Sequence, residues 1–107
     1  MVRVLIVDDD ADTRDVLRLV LEDANYDVVA ETADGIETLA ALRAGGAPQV
    51  VLLDLDLPRL DGLGVLNAVV ADPALAARYA FVLLTAVSQR RYQAAANIRA
   101  ALSVPLV

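Results

Sequence analysis

Val4-Leu5-Ile6-Val7-Asp8-Asp9-Asp10 decides the fold, because an apolar run stops abruptly here on three acidic residues. A short apolar run without alternation is typical of a strand that is buried on both faces, as in a parallel sheet. The same pattern returns at Val50–Leu53, which is stopped by Asp54, and at Phe81–Leu84, which is stopped by Thr85. The sequence therefore predicts a parallel sheet with polar residues where its strands end.

Helical patterns separate these apolar runs. Residues 11–24 carry apolar side chains at helical spacing, and Asp12 or Thr13 can cap the start of this helix. A turn signal at Asp34-Gly35 precedes a second helix, which Gly45-Gly46 ends. Strict alternation of strands and helices predicts one α/β domain with right-handed crossovers. The expected strands cover Val2–Val7, Asp27–Glu31, Val50–Leu53, Phe81–Leu84 and Leu102–Val107, and the expected helices cover about 11–24, 36–44, 63–72 and 88–101.

The composition narrows the chemistry that is open to this chain. Its 107 residues include no Cys and no His, which excludes disulfides, thiolate chemistry and imidazole catalysis within it. All nine basic residues are Arg, so no Lys can serve a P-loop or a Schiff base. The net charge of −6 argues against direct nucleic-acid binding by this segment. The apolar runs are too short for a membrane span, and the apolar run at Met1–Val7 is too short for a secretory signal.

The acidic residues gather after two of the expected strands. Asp8 and Asp9 follow the first strand, and Asp54 follows the third, so the three converge if these strands are neighbours. Carboxylates that lie together need a cation, and oxygen-only ligands favour Mg²⁺, Mn²⁺ or Ca²⁺ over zinc. Thr85 at the end of the fourth strand could donate to a phosphoryl oxygen, or it could simply finish that strand. Three other acids of the two loops, Asp10, Asp12 and Asp61, could equally cap helices and turns.

Several segments together resemble response-regulator receiver domains, and they cover essentially the whole chain. Val4–Asp10 is similar to the opening of these domains. Val51–Gly62 is similar to their phosphoacceptor segment, with Asp, Pro and Asp-Gly at the family spacing. Val82–Ala86 resembles their Thr/Ser-Ala strand end, and Tyr26–Val29 and Ala33–Gly35 fit the region of their second strand. The resemblance implies a flavodoxin-like, doubly wound parallel sheet of five strands in the order 2-1-3-4-5.

The resemblance also implies a role for each matched residue. Asp54 would take a phosphoryl group from a histidine kinase or a phosphotransfer protein. Mg²⁺, or Mn²⁺ in its place, would be bound by Asp9 and Asp54, by Asp8 largely through water, and by the backbone carbonyl of Asp56. Thr85 would bond the phosphoryl group, and Ala86 would leave room for it. On this reading the chain is a cytoplasmic signalling module that catalyses only its own phosphorylation and dephosphorylation.

Two departures from the family concern the end of the chain. The family places a Lys, followed by Pro, after its fifth strand, and this sequence has no Lys. Either Val104 replaces that Lys, or Leu102–Val107 is the fifth strand and the Lys would lie beyond it. On the second alignment, residues 1–107 form a receiver domain that is truncated and lacks its fifth helix. The aromatic residue that the family usually carries in the fifth strand is also missing, since Tyr92 belongs to the preceding helix.

The expected signalling partners follow from the family. Phosphorylation would bias a surface that is formed by the helix over 88–101 and the fifth strand, and this surface could dimerise or contact an output domain or downstream protein. A binding-only pseudo-receiver is the alternative if Val104 replaces the Lys. A phosphatase of the haloacid-dehalogenase type is weaker, because that family puts its Asp-x-Asp motif first and needs a Lys. A flavodoxin-like flavin site is weaker still, because the acidic first loop would repel a phosphate.

Overall fold

A computed structural model describes residues 1–84 of the chain. Strands and helices alternate along these residues, as the sequence predicts, with one additional short helix. The expected helix over 88–101 and the expected strand Leu102–Val107 lie outside the described residues. The elements are β1 (Arg3–Val7), α1 (Ala11–Asp23), β2 (Asp27–Thr32), α2 (Gly35–Ala44), β3 (Val50–Asp54), α3 (Gly62–Val70), α4 (Pro73–Ala76) and β4 (Ala80–Leu84).

The four described strands form one parallel sheet in the order β2-β1-β3-β4. Strand β1 lies in the centre, paired with β2 on one side and with β3 on the other. The register pairs Val7 with Leu53, so the residues that follow them, Asp8 and Asp54, are neighbours at the carboxyl ends of the strands. This is the flavodoxin-like order that the resemblance implies, and the reversal of strand order lies between β1 and β3.

Helices cover both faces of the sheet, which explains why β1 and β3 are apolar without alternation. Val4, Leu5, Ile6 and Val7 of β1 all have 0% of their surface exposed. Successive side chains of a strand point to opposite faces, and the core accordingly divides into two clusters. One cluster packs strand residues against α1, and the other packs them against α2, α3 and α4. The members of the first are Val4, Ile6, Leu17, Leu21, Val50, Leu52 and Leu84, and those of the second are Leu5, Val7, Leu39, Leu42, Val51, Leu53, Leu57, Val65, Val69 and Leu75.

Each of the four helices within residues 1–84 begins on an aspartate whose carboxylate accepts a backbone N–H of the first turn. These residues are Asp10, Asp34, Asp61 and Asp72. The expectation that Asp12 or Thr13 caps α1 is therefore wrong. Asp10 does so, because it is the last residue with extended backbone and its side chain reaches both the Asp12 N–H and the Thr13 hydroxyl.

The third helix is shorter than the sequence predicts. It ends at Val70, and a separate four-residue helix, α4, follows from Pro73. Pro73 is favourable as a first helical residue but cannot continue α3, and Asp72 caps the new turn. Within residues 1–84 no helix combines the length and the apolar character that a bilayer span requires.

Candidate metal centre

Three carboxylates meet where β1 and β3 end. One oxygen from each of Asp8, Asp9 and Asp54 lies within 4.8 Å of the others. Asp54 is the last residue of β3, and Asp8 and Asp9 follow β1, so the parallel pairing of these two strands brings them together. Asp8 and Asp54 are buried, with 4% and 9% of their surface exposed, whereas Asp9 faces the solvent. The site is therefore a cluster of three carboxylates, two of them buried and one exposed.

Burial and the neighbouring acidic residues raise the pKa of Asp54. Burial is the largest cause and raises the pKa of Asp54 from 3.8 to about 6, with the negative charges of Asp8, Asp9 and Asp56 adding to the rise. The Asp56 N–H opposes it, because it donates a 2.9 Å hydrogen bond to Asp54 Oδ1. Among residues 1–84, this is the hydrogen bond that the Asp54 carboxylate accepts, and it goes to Oδ1.

The environment of Asp8 is similar but includes the positively charged side chain of Arg14. Burial raises the pKa of Asp8, the Asp10 N–H lowers it through a 2.9 Å bond to Oδ1, and the Asp9 and Asp10 charges raise it. The Arg14 guanidinium lowers it as the smallest contribution. Arg14 does not bind the carboxylate: its Nη1 donates to the Asp8 backbone carbonyl at 2.7 Å. Arg14 is not among the residues that the sequence pattern singles out, since one arginine on a helix carries no signal of such a contact.

The loop after β3 is held against α3 by a glycine. Gly62 N–H donates to the Leu55 carbonyl at 3.0 Å, and a Cβ at Gly62 would lie 2.7 Å from the Asp54 carbonyl oxygen and 2.6 Å from the Leu55 Cα. Asp61 thus caps α3, and Gly62 allows the close approach. The sequence predicted only that these two residues belong to a loop. Asp10 and Asp61 act as helix caps, and the side chain of Asp56 is exposed.

These residues fit a hard divalent cation. All three donors are carboxylate oxygens, the kind of ligand that Mg²⁺ and Mn²⁺ prefer. Among residues 1–84 no ion pair reaches these three carboxylates, since the four ion pairs there join other acids to Arg14, Arg18 and Arg59. Burial is the largest cause of the raised pKa values of Asp8 and Asp54, and a cation bound beside them would lower both. The two remaining site candidates, Thr85 and Ala86, lie outside the described residues.

Comparison with known proteins agrees with the geometry. A family model described as the response regulator receiver domain matches residues 4–103. The protein-glutamate methylesterase/protein-glutamine glutaminase 5 of Myxococcus xanthus (strain DK1622) is 47% identical over 74 residues, which are 68% of this chain and 21% of that protein. The chain spans about a fifth of the length of the curated relatives it matches.

Solved structures share the fold. A receiver domain protein (CheY-like) from Methanospirillum hungatei JF-1 superposes with a TM-score of 0.69 at 35% identity, over 80% of this chain and 66% of that chain. The Mn²⁺-bound form of the response regulator Rcp1 superposes with a TM-score of 0.68 at 25% identity, over 92% of this chain and 76% of that chain. The second structure is of a protein with the same fold that binds a divalent cation.

Proposed function

The chain belongs to the response regulator receiver domain family, and from that premise we propose that it accepts a phosphoryl group on Asp54 with Mg²⁺ or Mn²⁺ bound beside it. The observation that carries this proposal is the meeting of Asp54 with Asp8 and Asp9 at the carboxyl ends of two paired strands. As a receiver domain, the segment is a signalling module.

Asp54 has the properties of a phosphoryl acceptor. Its Oδ1 accepts the Asp56 N–H, so we assign the other carboxylate oxygen, Oδ2, to the attack on phosphorus. With a pKa of about 6, the carboxylate is largely ionised at neutral pH and can act as a nucleophile. The Oδ2–P bond forms as the bond between phosphorus and the nitrogen of the donor phosphohistidine breaks, and the departing imidazole takes a proton from water. The donor histidine belongs to another protein or domain, because this chain has none.

The neighbouring residues supply position and charge. Asp8 and Asp9, with Asp54 and the backbone carbonyl of Asp56, would hold the cation. A bound Mg²⁺ neutralises the charge on the phosphoryl oxygens, which is a large part of what phosphoryl transfer requires. We assign Thr85 to a hydrogen bond with the phosphoryl group, and we assign the small side chain of Ala86 to leaving space for it.

The partners follow from this chemistry. A histidine kinase or phosphotransfer protein would supply the phosphoryl group, and an output domain or downstream protein would read the modified state. The Myxococcus relative is named as a methylesterase and glutaminase, so an enzymatic output of that class is a candidate for the whole protein. We also propose that the chain dimerises through residues 88–107, where the sequence predicts a helix and the fifth strand.

A phosphorylation assay tests the proposal directly. The chain is incubated with Mg²⁺ and a small phosphodonor such as acetyl phosphate, and intact-mass spectrometry detects one added phosphoryl group. Asp54→Asn should abolish the adduct, whereas Asp61→Asn should keep it, because asparagine also caps helix α3. No adduct on the wild type, or an adduct that survives Asp54→Asn, would contradict the proposal, and the first result would favour a binding-only pseudo-receiver.

A further inference from the structure

Two hydrogen bonds hold the backbone of Asp8, one on each side of its Cα. The Asp8 N–H continues the sheet by donating to the Thr32 carbonyl at 3.1 Å. The Asp8 carbonyl, which lies beyond the last strand pair, accepts Arg14 Nη1 at 2.7 Å. Because this carbonyl and the Asp9 N–H belong to one planar peptide group, the hydrogen bond from Arg14 restricts the direction in which the Asp9 side chain leaves the backbone.

Arg14 is itself held in place by Glu31. Its Nε donates to Glu31 Oε1 at 3.2 Å, and the side chain is only 20% exposed. The other carboxylate oxygen of Glu31 accepts Arg18 Nε at 2.7 Å, and Arg18 is further out, with 38% of its side chain exposed. Two arginines of helix α1 therefore share one acid on β2. Among the described residues, Arg14 alone of the two also reaches the acidic loop.

We propose that Arg14 is a positioning residue for the cation site, which holds the Asp8–Asp9 peptide so that both carboxylates face Asp54, and that Glu31 orients Arg14 for this purpose. The inference rests on the proposed function, since it concerns the affinity of the site for Mg²⁺. Groups that orient metal ligands typically change metal affinity about 10- to 100-fold when they are removed.

Two effects of Arg14 oppose each other, and substitutions separate them. Its positive charge near the site weakens cation binding, whereas its hydrogen bonds favour binding by ordering the ligands. Arg14→Gln removes both the charge and the pair of hydrogen bonds to Glu31 and the Asp8 carbonyl. Arg14→Lys keeps the charge but cannot bridge these two groups as the planar guanidinium does. If positioning dominates, both variants weaken Mg²⁺ binding. If charge alone matters, Gln tightens binding and Lys leaves it unchanged.

The test is an NMR titration of the 107-residue chain with Mg²⁺. We expect Arg14→Gln and Arg14→Lys to raise the Mg²⁺ Kd about tenfold. Glu31→Gln should raise it less. Arg18→Gln, which loses the same Glu31 but no contact with Asp8, is the matched control and should stay within about twofold of the wild type. Before any metal is added, the Asp9 amide resonance should shift in both Arg14 variants, because the Asp8 carbonyl of the same peptide group loses the hydrogen bond from Arg14. The resonance should not shift in Arg18→Gln.

The outcomes distinguish the two proposals. If the wild type does not bind Mg²⁺, the proposed function fails and this inference fails with it. If the wild type binds and both folded Arg14 variants bind equally well or more tightly, only the role of Arg14 is refuted. Thermal unfolding by circular dichroism identifies the variants that remain folded, and Arg14→Lys, which preserves charge and most of the side-chain length, guards against a loss of folding in Arg14→Gln.

Discussion

Replacing Asp54 with asparagine should stabilise the cation-free chain at neutral pH. The pKa of Asp54 rises from 3.8 to about 6 because the carboxylate is buried beside other acids. Each pKa unit corresponds to about 1.4 kcal/mol, so ionised Asp54 lowers the free energy of unfolding by about 3 kcal/mol. Asparagine has nearly the same shape, and its carbonyl oxygen can still accept the Asp56 N–H. We therefore expect Asp54→Asn to raise the free energy of unfolding by about 2–3 kcal/mol at pH 7.5.

The pH dependence gives the effect a distinct signature. A carboxyl group whose pKa is raised by folding favours the folded state below pH 3.8, and this contribution is lost as pH rises through about 6. The difference between Asp54→Asn and the wild type should therefore be small near pH 4, grow between pH 4 and 6, and be constant above that range. Saturation with Mg²⁺ should narrow the difference, because the cation binds the ionised wild-type site and stabilises it by mass action.

Urea unfolding followed by circular dichroism in EDTA measures these differences. Asp27→Asn is the matched control, because it removes the same charge from an exposed residue at the opposite end of the strands. Its effect should stay within about 0.5 kcal/mol. The reasoning is refuted if Asp54→Asn is no more stable than Asp27→Asn at pH 7.5, or if its advantage does not change between pH 4 and 7.5.

Three further substitutions test the packing that holds the site. Gly35→Ala should cost about 3 kcal/mol in urea unfolding, because the new Cβ would lie 1.9 Å from the Leu60 carbonyl oxygen; an unchanged midpoint would contradict this close approach. Thr38→Val should cost about 1–3 kcal/mol, because it leaves the buried Thr32 hydroxyl without its 2.7 Å partner, and Thr38→Ser should recover most of that loss. Leu52→Ala should cost about 2–5 kcal/mol by thermal unfolding, since Leu52 is fully buried; a loss below that range would mean that the core closes around the cavity.

The buried strands β1 and β3, and the acidic residues at their carboxyl ends, were predictable from the amino-acid sequence. Two short apolar runs without alternation, at Val4–Val7 and Val50–Leu53, are typical of strands that are buried on both faces, and the structure confirms this. Once parallel strands are paired, the residues that follow them meet at one edge, so Asp8, Asp9 and Asp54 were predictable as neighbours. The first inference needs only side-chain alternation, which is a local property, whereas the pairing of β1 with β3 was implied by the family resemblance.

The contacts and the burial of these three acidic residues became known only from the folded structure. Arg14 contacts the Asp8 carbonyl because α1 packs beside β2, and helical spacing alone does not reveal that contact. The glycine at position 62 is required by the backbone of the loop that α3 lies against, rather than by a turn of its own. The pKa of Asp54 depends on burial and on charges from other parts of the chain. Each of these features depends on how a helix or loop packs against the sheet, and therefore arises only after the chain has folded.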